Sequence, residues 1–220
     1  MLLTAQQFKM LTTASLETLY MVSVTTLLTA LAGIPLGILL VVTRPGHIWA
    51  NKAVHRILGF VVNVTRSIPF PIFIVFVIPL TRFIVGSSIG ATAVIVPLTL
   101  AAFVFLARLT ETALLEVPHG VIEAAKSMGA SNLRIVGRVM LPEARSGLIM
   151  AITITIITLI SYSAMAGAVG GGGLGDLAIR YGYQRYQTDI MWVTVILLVI
   201  VVQGAQSFGD YLVRKCSGGR

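Results

Sequence analysis

Three groups of residues in this chain have types and spacings that chemistry can use. Gly170-Gly171-Gly172-Gly173-Leu174-Gly175 has the G-x-G-x-x-G spacing that lets a backbone close on a pyrophosphate. It follows a long apolar stretch and not a strand of a βαβ unit, so the dinucleotide reading fails its required context and a flexible turn or re-entrant break is expected. His47, His55 and His119 are the residue type that most often ligates metals or moves protons, but none has a carboxylate or cysteine at ligand spacing. Ser161-Tyr162-Ser163-Ala164-Met165 sets hydroxyls and a thioether inside an apolar run. Such groups serve close helix packing, or contact with a neutral, zwitterionic, moderately apolar solute. No nucleophile is paired with a base, so no catalytic residue is nominated and no metal or cofactor is expected on this chain. Nor is there a G-x-x-x-x-G-K-[ST] loop, the usual cradle for ATP.

The elements that position these groups are membrane spans. The 220 residues are 56% hydrophobic and 11% charged, against about a quarter charged in a soluble domain. A helix needs about 20 apolar residues to cross the hydrocarbon core. Four uncharged windows of sufficient length lie between Glu17 and Arg44, Arg82 and Arg108, Arg145 and Asp176, and Asp189 and Asp210. A fifth candidate, Ile57 to Leu80, is apolar and β-branched but carries Arg66. Five spans of an all-α polytopic membrane protein are therefore expected, with Pro35, Pro69, Pro71, Pro79 and Pro97 marking kinks.

Five crossings put the termini on opposite sides. One side collects Arg44, Lys52, Arg56, Arg66, Arg108, Lys126, Arg134, Arg138, Arg145, Arg214, Lys215 and Arg220; the other has Lys9, Arg82, Arg180 and Arg185. The positive-inside rule then places the N-terminus outside and the C-terminus in the cytoplasm. It also accounts for the net charge of +8 without a nucleic-acid partner. The N-terminal stretch lacks the basic cluster, apolar core and cleavage site of a signal peptide. Cys216 has no second cysteine to pair with and is read as a reduced cytoplasmic thiol.

The longest polar connection runs from Arg108 to Arg145. Val121, Ala125, Met128, Val136 and Val139 recur there at spacings of three, four and eight, with Glu123, Lys126, Ser131, Arg134 and Arg138 between them. This predicts one or two short amphipathic helices broken near Gly129, lying on the bilayer or packed into a partner. Glu123-Ala124-Ala125, Gly129 after three intervening residues, and Val139-Met140-Leu141-Pro142 after nine more resemble the EAA motif of binding-protein-dependent ABC importer permeases. The pattern constrains seven residue types over twenty positions, and valine for isoleucine is its one departure. More narrowly, Arg66-Ser67-Ile68-Pro69-Phe70, Ile78-Pro79-Leu80-Thr81-Arg82, Ile95-Val96-Pro97-Leu98-Thr99 and the run from Tyr162 to Gly170 look like the permease of methionine importers, a type I family.

That resemblance implies a permease domain over 16–213, a periplasmic segment 1–15, a coupling segment 119–142 and a cytoplasmic tail 214–220. It implies a homodimer in the bacterial inner membrane, two copies of a cytoplasmic ABC ATPase that binds ATP and Mg, and a periplasmic or lipoprotein substrate-binding protein. Coupling to the ATPase would fall to Glu123, Ala124, Ala125, Gly129, Arg134, Arg138, Leu141 and Pro142. The alanines would permit close approach, Gly129 the turn, and Pro142 the start of the next helix. A pathway for methionine would involve Ser161, Ser163, Met165, Arg66 and Pro69, although Arg66 also fits a side chain that snorkels to the headgroups. A permease for another amino acid is the nearest alternative. An ion-coupled transporter would want an intramembrane acid, and all eight acids are expected outside the span cores.

Overall fold

The computed structural model describes residues 4–217, and no strand occurs among them. The helices are α1 (Ala5–Val42), α2 (Lys52–Ser67), α3 (Phe70–Phe76), α4 (Ile78–Val85), α5 (Ala91–Leu115), α6 (His119–Ser127), α7 (Asn132–Ile135), α8 (Leu141–Glu143), α9 (Arg145–Gly167), α10 (Gly173–Leu177) and α11 (Thr188–Ser217). Two π-helical turns, Val136–Met140 and Ala178–Tyr183, join α7 to α8 and prolong α10.

Helix α1 starts with a capping box: Thr4 Oγ1 accepts from the Gln7 amide at 3.3 Å, and Gln7 Oε1 accepts from the Thr4 amide at 2.9 Å. It crosses against α5 at glycine contacts. A Cβ on Gly33 would lie 2.8 Å from the Phe103 carbonyl oxygen, and one on Gly37 would lie 2.5 Å from Thr110 Cβ. Small residues bring membrane helices this close because lipid supplies no hydrophobic drive for association, leaving van der Waals contact to do it.

Four helices, α1, α5, α9 and α11, are long and apolar enough to span a membrane, and the number rises to five if the bent pair α2 and α3 is one span. The stretch read as a fifth span with kinks at its prolines, Ile57 to Leu80, is broken outright. Pro69 holds Ile68 in an extended conformation (φ −86°, ψ 121°), so the helix stops and α3 leaves at 102° to α2. Pro79 opens α4 directly after α3.

Among the described residues four buried clusters fill the bundle, and the two largest lie toward opposite ends. The first joins Met21 of α1, Ile74 of α3, Leu98 of α5 and Leu159 of α9. The second lies at the other end, where Val41 and Leu114 meet Ile122, Ile135 and Met140 of the polar connection. Outward-facing apolar residues such as Trp192, Ile196 and Ile200 of α11 remain exposed, as a bilayer or a neighbouring subunit requires.

Candidate functional site

The polar connection folds as a short helical hairpin fixed to the ends of α1 and α5. Pro118 leads into α6, which ends at Met128 because Gly129 takes a left-handed conformation (φ 77°). There the Ala130 amide donates to the Ala125 carbonyl at 3.1 Å, the 6→1 bond of a Schellman turn. Gly129 has open space around it, so glycine is needed there for its backbone angle and not for room. Pro142 lacks an amide and would crowd the carbonyl four residues earlier; the wider π turn just before it, closed by the Leu141 amide on the Val136 carbonyl, relieves that conflict.

This hairpin has an aliphatic base and a mixed tip. Ile122, Ala125, Ile135, Val136 and Met140 are buried against the bundle. Glu123, Ala124, Gly129, Arg134, Arg138 and Pro142 are exposed, while Leu141 is half-buried. Of the two motif alanines, Ala125 therefore approaches its own bundle and Ala124 faces outward. Met128 and Leu133 are 81% and 73% exposed. Met128 and Val121, assigned by spacing to the apolar stripe, are not on the buried face, since that face of α6 is centred between Ile122 and Ala125 and the other two lie to one side of it. Ile122 and Ile135 occupy the buried side of the hairpin instead.

A neighbouring loop, 43–51, braces the hairpin. Asn132 Nδ2 donates to the Ile48 carbonyl at 3.2 Å, and the His47 and His119 rings meet edge-on with centroids 6.0 Å apart. His119 Nδ1 lies 3.6 Å from a Glu123 carboxylate oxygen one turn along α6. Burial pushes the pKa of His47 down, and His119 and Arg44 push the same way, so its neutral form is favoured. His55 instead donates from Nδ1 to the Leu40 carbonyl at 3.0 Å. Among the described residues no cluster of three His, Cys, Asp or Glu could hold a metal.

At the opposite end the glycine run is a re-entrant turn. Helix α10 folds back along the end of α9 at backbone contact: a Cβ on Gly167 would lie 2.1 Å from the Asp176 nitrogen, and one on Gly175 would lie 2.3 Å from Ala164 Cα. The turn is tied on both sides. The Gly90 amide donates to the Gly170 carbonyl at 2.9 Å. Glu17 Oε2 accepts from the Gly173 amide at 2.8 Å, and Thr18 Oγ1 from the Leu174 amide at 2.9 Å. These two residues of α1 thus satisfy the first amides of α10, which have no intrahelical partner. Asp176 pairs with Arg180 one turn further on.

Beside this turn an open groove of about 590 Å³ runs between α9, α10 and α11. Ser161, Ala164 and Met165 of α9 line it with Gly175, Ala178 and Gln203. Ser163 points the other way; it is buried and its hydroxyl donates to the Ile160 carbonyl at 2.8 Å. Arg66 and Pro69 do not reach the groove. They sit at the α2–α3 break, where the Arg66 guanidinium lies 5.8 Å from the Phe105 ring centre. Behind the groove, Phe70 and Tyr162 stack in parallel at 4.3 Å and join α3 to α9.

Among the described residues one acid is buried within a spanning helix. Glu111, buried near the end of α5, forms an ion pair with Arg108, which also donates to Asn63 Oδ1 at 2.7 Å. It lies within α5 but beyond the uncharged window that ends at Arg108. Neither this network nor the Glu17 clamp was apparent in the sequence. The clamp joins residues 156 apart, and its one signal is that Glu17 is the charge at the edge of the first apolar window.

Comparison with known proteins agrees with this architecture. The probable D-methionine transport system permease protein MetI of Vibrio cholerae is 54% identical over 94% of this chain and 92% of its own length. The D-methionine transport system permease protein MetI of Escherichia coli K12 is 54% identical over 69% of this chain and 70% of its own. A crystal structure of the MetNI methionine ABC transporter in an inward-facing conformation contains a chain that is 49% identical, with a TM-score of 0.96, covering 97% of this chain and 99% of that one. An amino acid ABC transporter at 16% identity and a TM-score of 0.78 shares the fold. The model of the binding-protein-dependent transport system inner membrane component matches residues 33–218. An all-helical bundle with that match and those relatives belongs to the binding-protein-dependent transport system inner membrane component family, as a multi-pass inner-membrane protein.

Proposed function

We propose that this chain is the permease subunit of an ATP-binding-cassette importer for methionine. Two copies would form the pathway, and two copies of a separate ATPase, which binds the ATP and Mg, would drive it. The observation that carries the coupling role is the hairpin with an aliphatic base and an exposed tip. Met128 and Leu133 offer apolar contact there, and Glu123, Arg134 and Arg138 offer charge. A surface of this kind fits a groove on a partner. The substrate rests on relatives named for D-methionine transport at 46–55% identity.

In this reading the permease domain covers 16–213, the coupling segment 119–142 and the tail 214–220, with the N-terminal segment 1–15 on the periplasmic side and the C-terminus in the cytoplasm. The chain is non-catalytic. Closure of the ATPases moves the hairpins together, and Ala125, Gly129, Leu141 and Pro142 keep each hairpin in shape while Glu123, Ala124, Arg134 and Arg138 meet the motor. Ser161 and Met165 line the pathway from α9. Ser163, Arg66 and Pro69 act from behind it, through packing and the α2–α3 break. A substrate-binding protein delivers methionine at the end carrying the glycine turn.

The test is uptake of labelled L- and D-methionine by a strain lacking its own methionine importer and supplied with this chain, its ATPase and its binding protein. Restored uptake that unlabelled methionine competes away supports the reading. Transport by the chain without any ATPase would refute it. Met165→Ala should change the uptake rate at unchanged protein level, and an unaltered rate would remove Met165 from the pathway.

A further inference from the structure

A second polar hollow, separate from the groove and the hairpin tip, opens where α1 ends and α2 begins. It encloses about 550 Å³ and is open on one side. Arg44 supplies its rim from the loop after α1, Lys52 and Arg56 come from α2, and Arg108 comes from α5. Four cations thus share one hollow. The acid nearest to them in the network, Glu111, is buried and already paired with Arg108. Arg44, Lys52 and Arg56 are exposed and have no acidic partner among the described residues. Like charges gathered this closely repel one another unless an anion lies among them.

The wall of the hollow identifies the anion. Phe60, 68% exposed, lines it, and Ile57, Val61 and Val64 continue an exposed apolar surface along the same helix. The helix also lies at the ends of two spans, α1 and α5, and is turned 102° from α3. A helix with cations at its start and bulky apolar groups along its outer side has the chemistry of the membrane–water boundary. Arginine and lysine stems reach along apolar surface and put their charge at headgroup depth. A soluble anion would use the cations but leave the apolar wall bare.

We propose that this hollow is a binding site for the headgroup of an anionic phospholipid. The phosphate lies among Arg44, Lys52 and Arg56, and an acyl chain runs along Phe60 and Val64. Arg108, held by Glu111 and Asn63, forms a fixed floor that adds positive potential. The proposal depends on the chain residing in a membrane and is independent of which solute it transports.

The test is native mass spectrometry of the purified full-length permease with its ATPase, titrated with phosphatidylglycerol or phosphatidylcholine. The native protein should retain phosphatidylglycerol in preference to phosphatidylcholine. Lys52→Gln with Arg56→Gln should weaken the phosphatidylglycerol complex by roughly 25-fold, about fivefold per cation, and leave phosphatidylcholine unchanged. Arg56→Lys should keep most of the binding and shows that the charge, and not a disturbed fold, is being read. Equal retention of the two lipids by the native protein would overturn the proposal. So would displacement of phosphatidylglycerol by millimolar inorganic phosphate, which would assign the hollow to a soluble anion. Disulfide cross-linking of two Phe60→Cys chains in a Cys216→Ser background would overturn it too, since a second copy would then cover the wall.

Discussion

The two ends of the bundle both use glycine, a short helix and a π turn, yet glycine does different work in each. At the EAA end Gly129 is needed for its backbone angle, has empty space around it, and lets a hairpin stand clear of the bundle. At the other end Gly167 and Gly175 are needed for room, because two backbones touch there. The first end is held by aliphatic side chains and leaves its tip bare. The second is held by backbone contact and by Glu17 and Thr18, and leaves 171–179 buried or half-buried. An end that stands clear and an end that is locked can therefore be told apart by what a methyl group would do to each.

The largest effect that sharpens this contrast is Gly175→Val. Its side chain would have to occupy backbone positions of α9, so the loss should reach or exceed the top of the range for overpacking, about 3 kcal/mol. It should appear as loss of monodisperse protein on size-exclusion chromatography. Glu17→Ala comes next. Removing a charged acceptor from a backbone amide should cost about 1.5–3 kcal/mol in thermal unfolding, and Glu17→Gln less. Gly129→Ala should cost about 1–2 kcal/mol, the penalty for a left-handed residue in open space. If it proved as damaging as Gly175→Val, the distinction between angle and room would fail.

Met128→Asp with Leu133→Asp should change stability by no more than about 0.5 kcal/mol per site, since both side chains are exposed. It should nevertheless abolish co-purification with the ATPase; retained co-purification would move the docking surface elsewhere. The smallest effect concerns pH. Because the folded state lowers the pKa of His47, the unfolded chain takes up the proton first as pH falls through about 6.5. Stability gained from burying neutral His47 is full above that pH and declines below it, until the folded form is protonated as well. His47→Ala should therefore flatten the unfolding midpoint between pH 7.5 and 5.5, with His119, Glu123 and Arg44 left in place.

Spans were legible from the distance between charges, because crossing a bilayer imposes a length on an apolar run. The hairpin was legible because its motif is local in sequence. Which of its residues face outward was not: the buried face of α6 is centred between Ile122 and Ala125, and Val121 and Met128 lie outside the stripe their spacing predicted. The bend at Pro69 was foreseen as a kink, but nothing local fixes an angle of 102°. The Glu17 clamp depends on folding 156 residues of chain back to α1, which no pattern of neighbours encodes.

The π turn ahead of Pro142 has a mechanical consequence. Hydrogen bonds continue beyond it, from the Ala144 amide to the Met140 carbonyl and from the Leu148 amide to the Ala144 carbonyl, both at 2.9 Å. The end of the hairpin and the foot of α9 are consequently tied into one lever by hydrogen bonds across Ala144. At about 1.5 Å per residue α9 is roughly 35 Å long, so a tilt of about 5° at its foot carries Gly167 through roughly 3 Å. At the far tip of that lever stands a glycine with no clearance to spare.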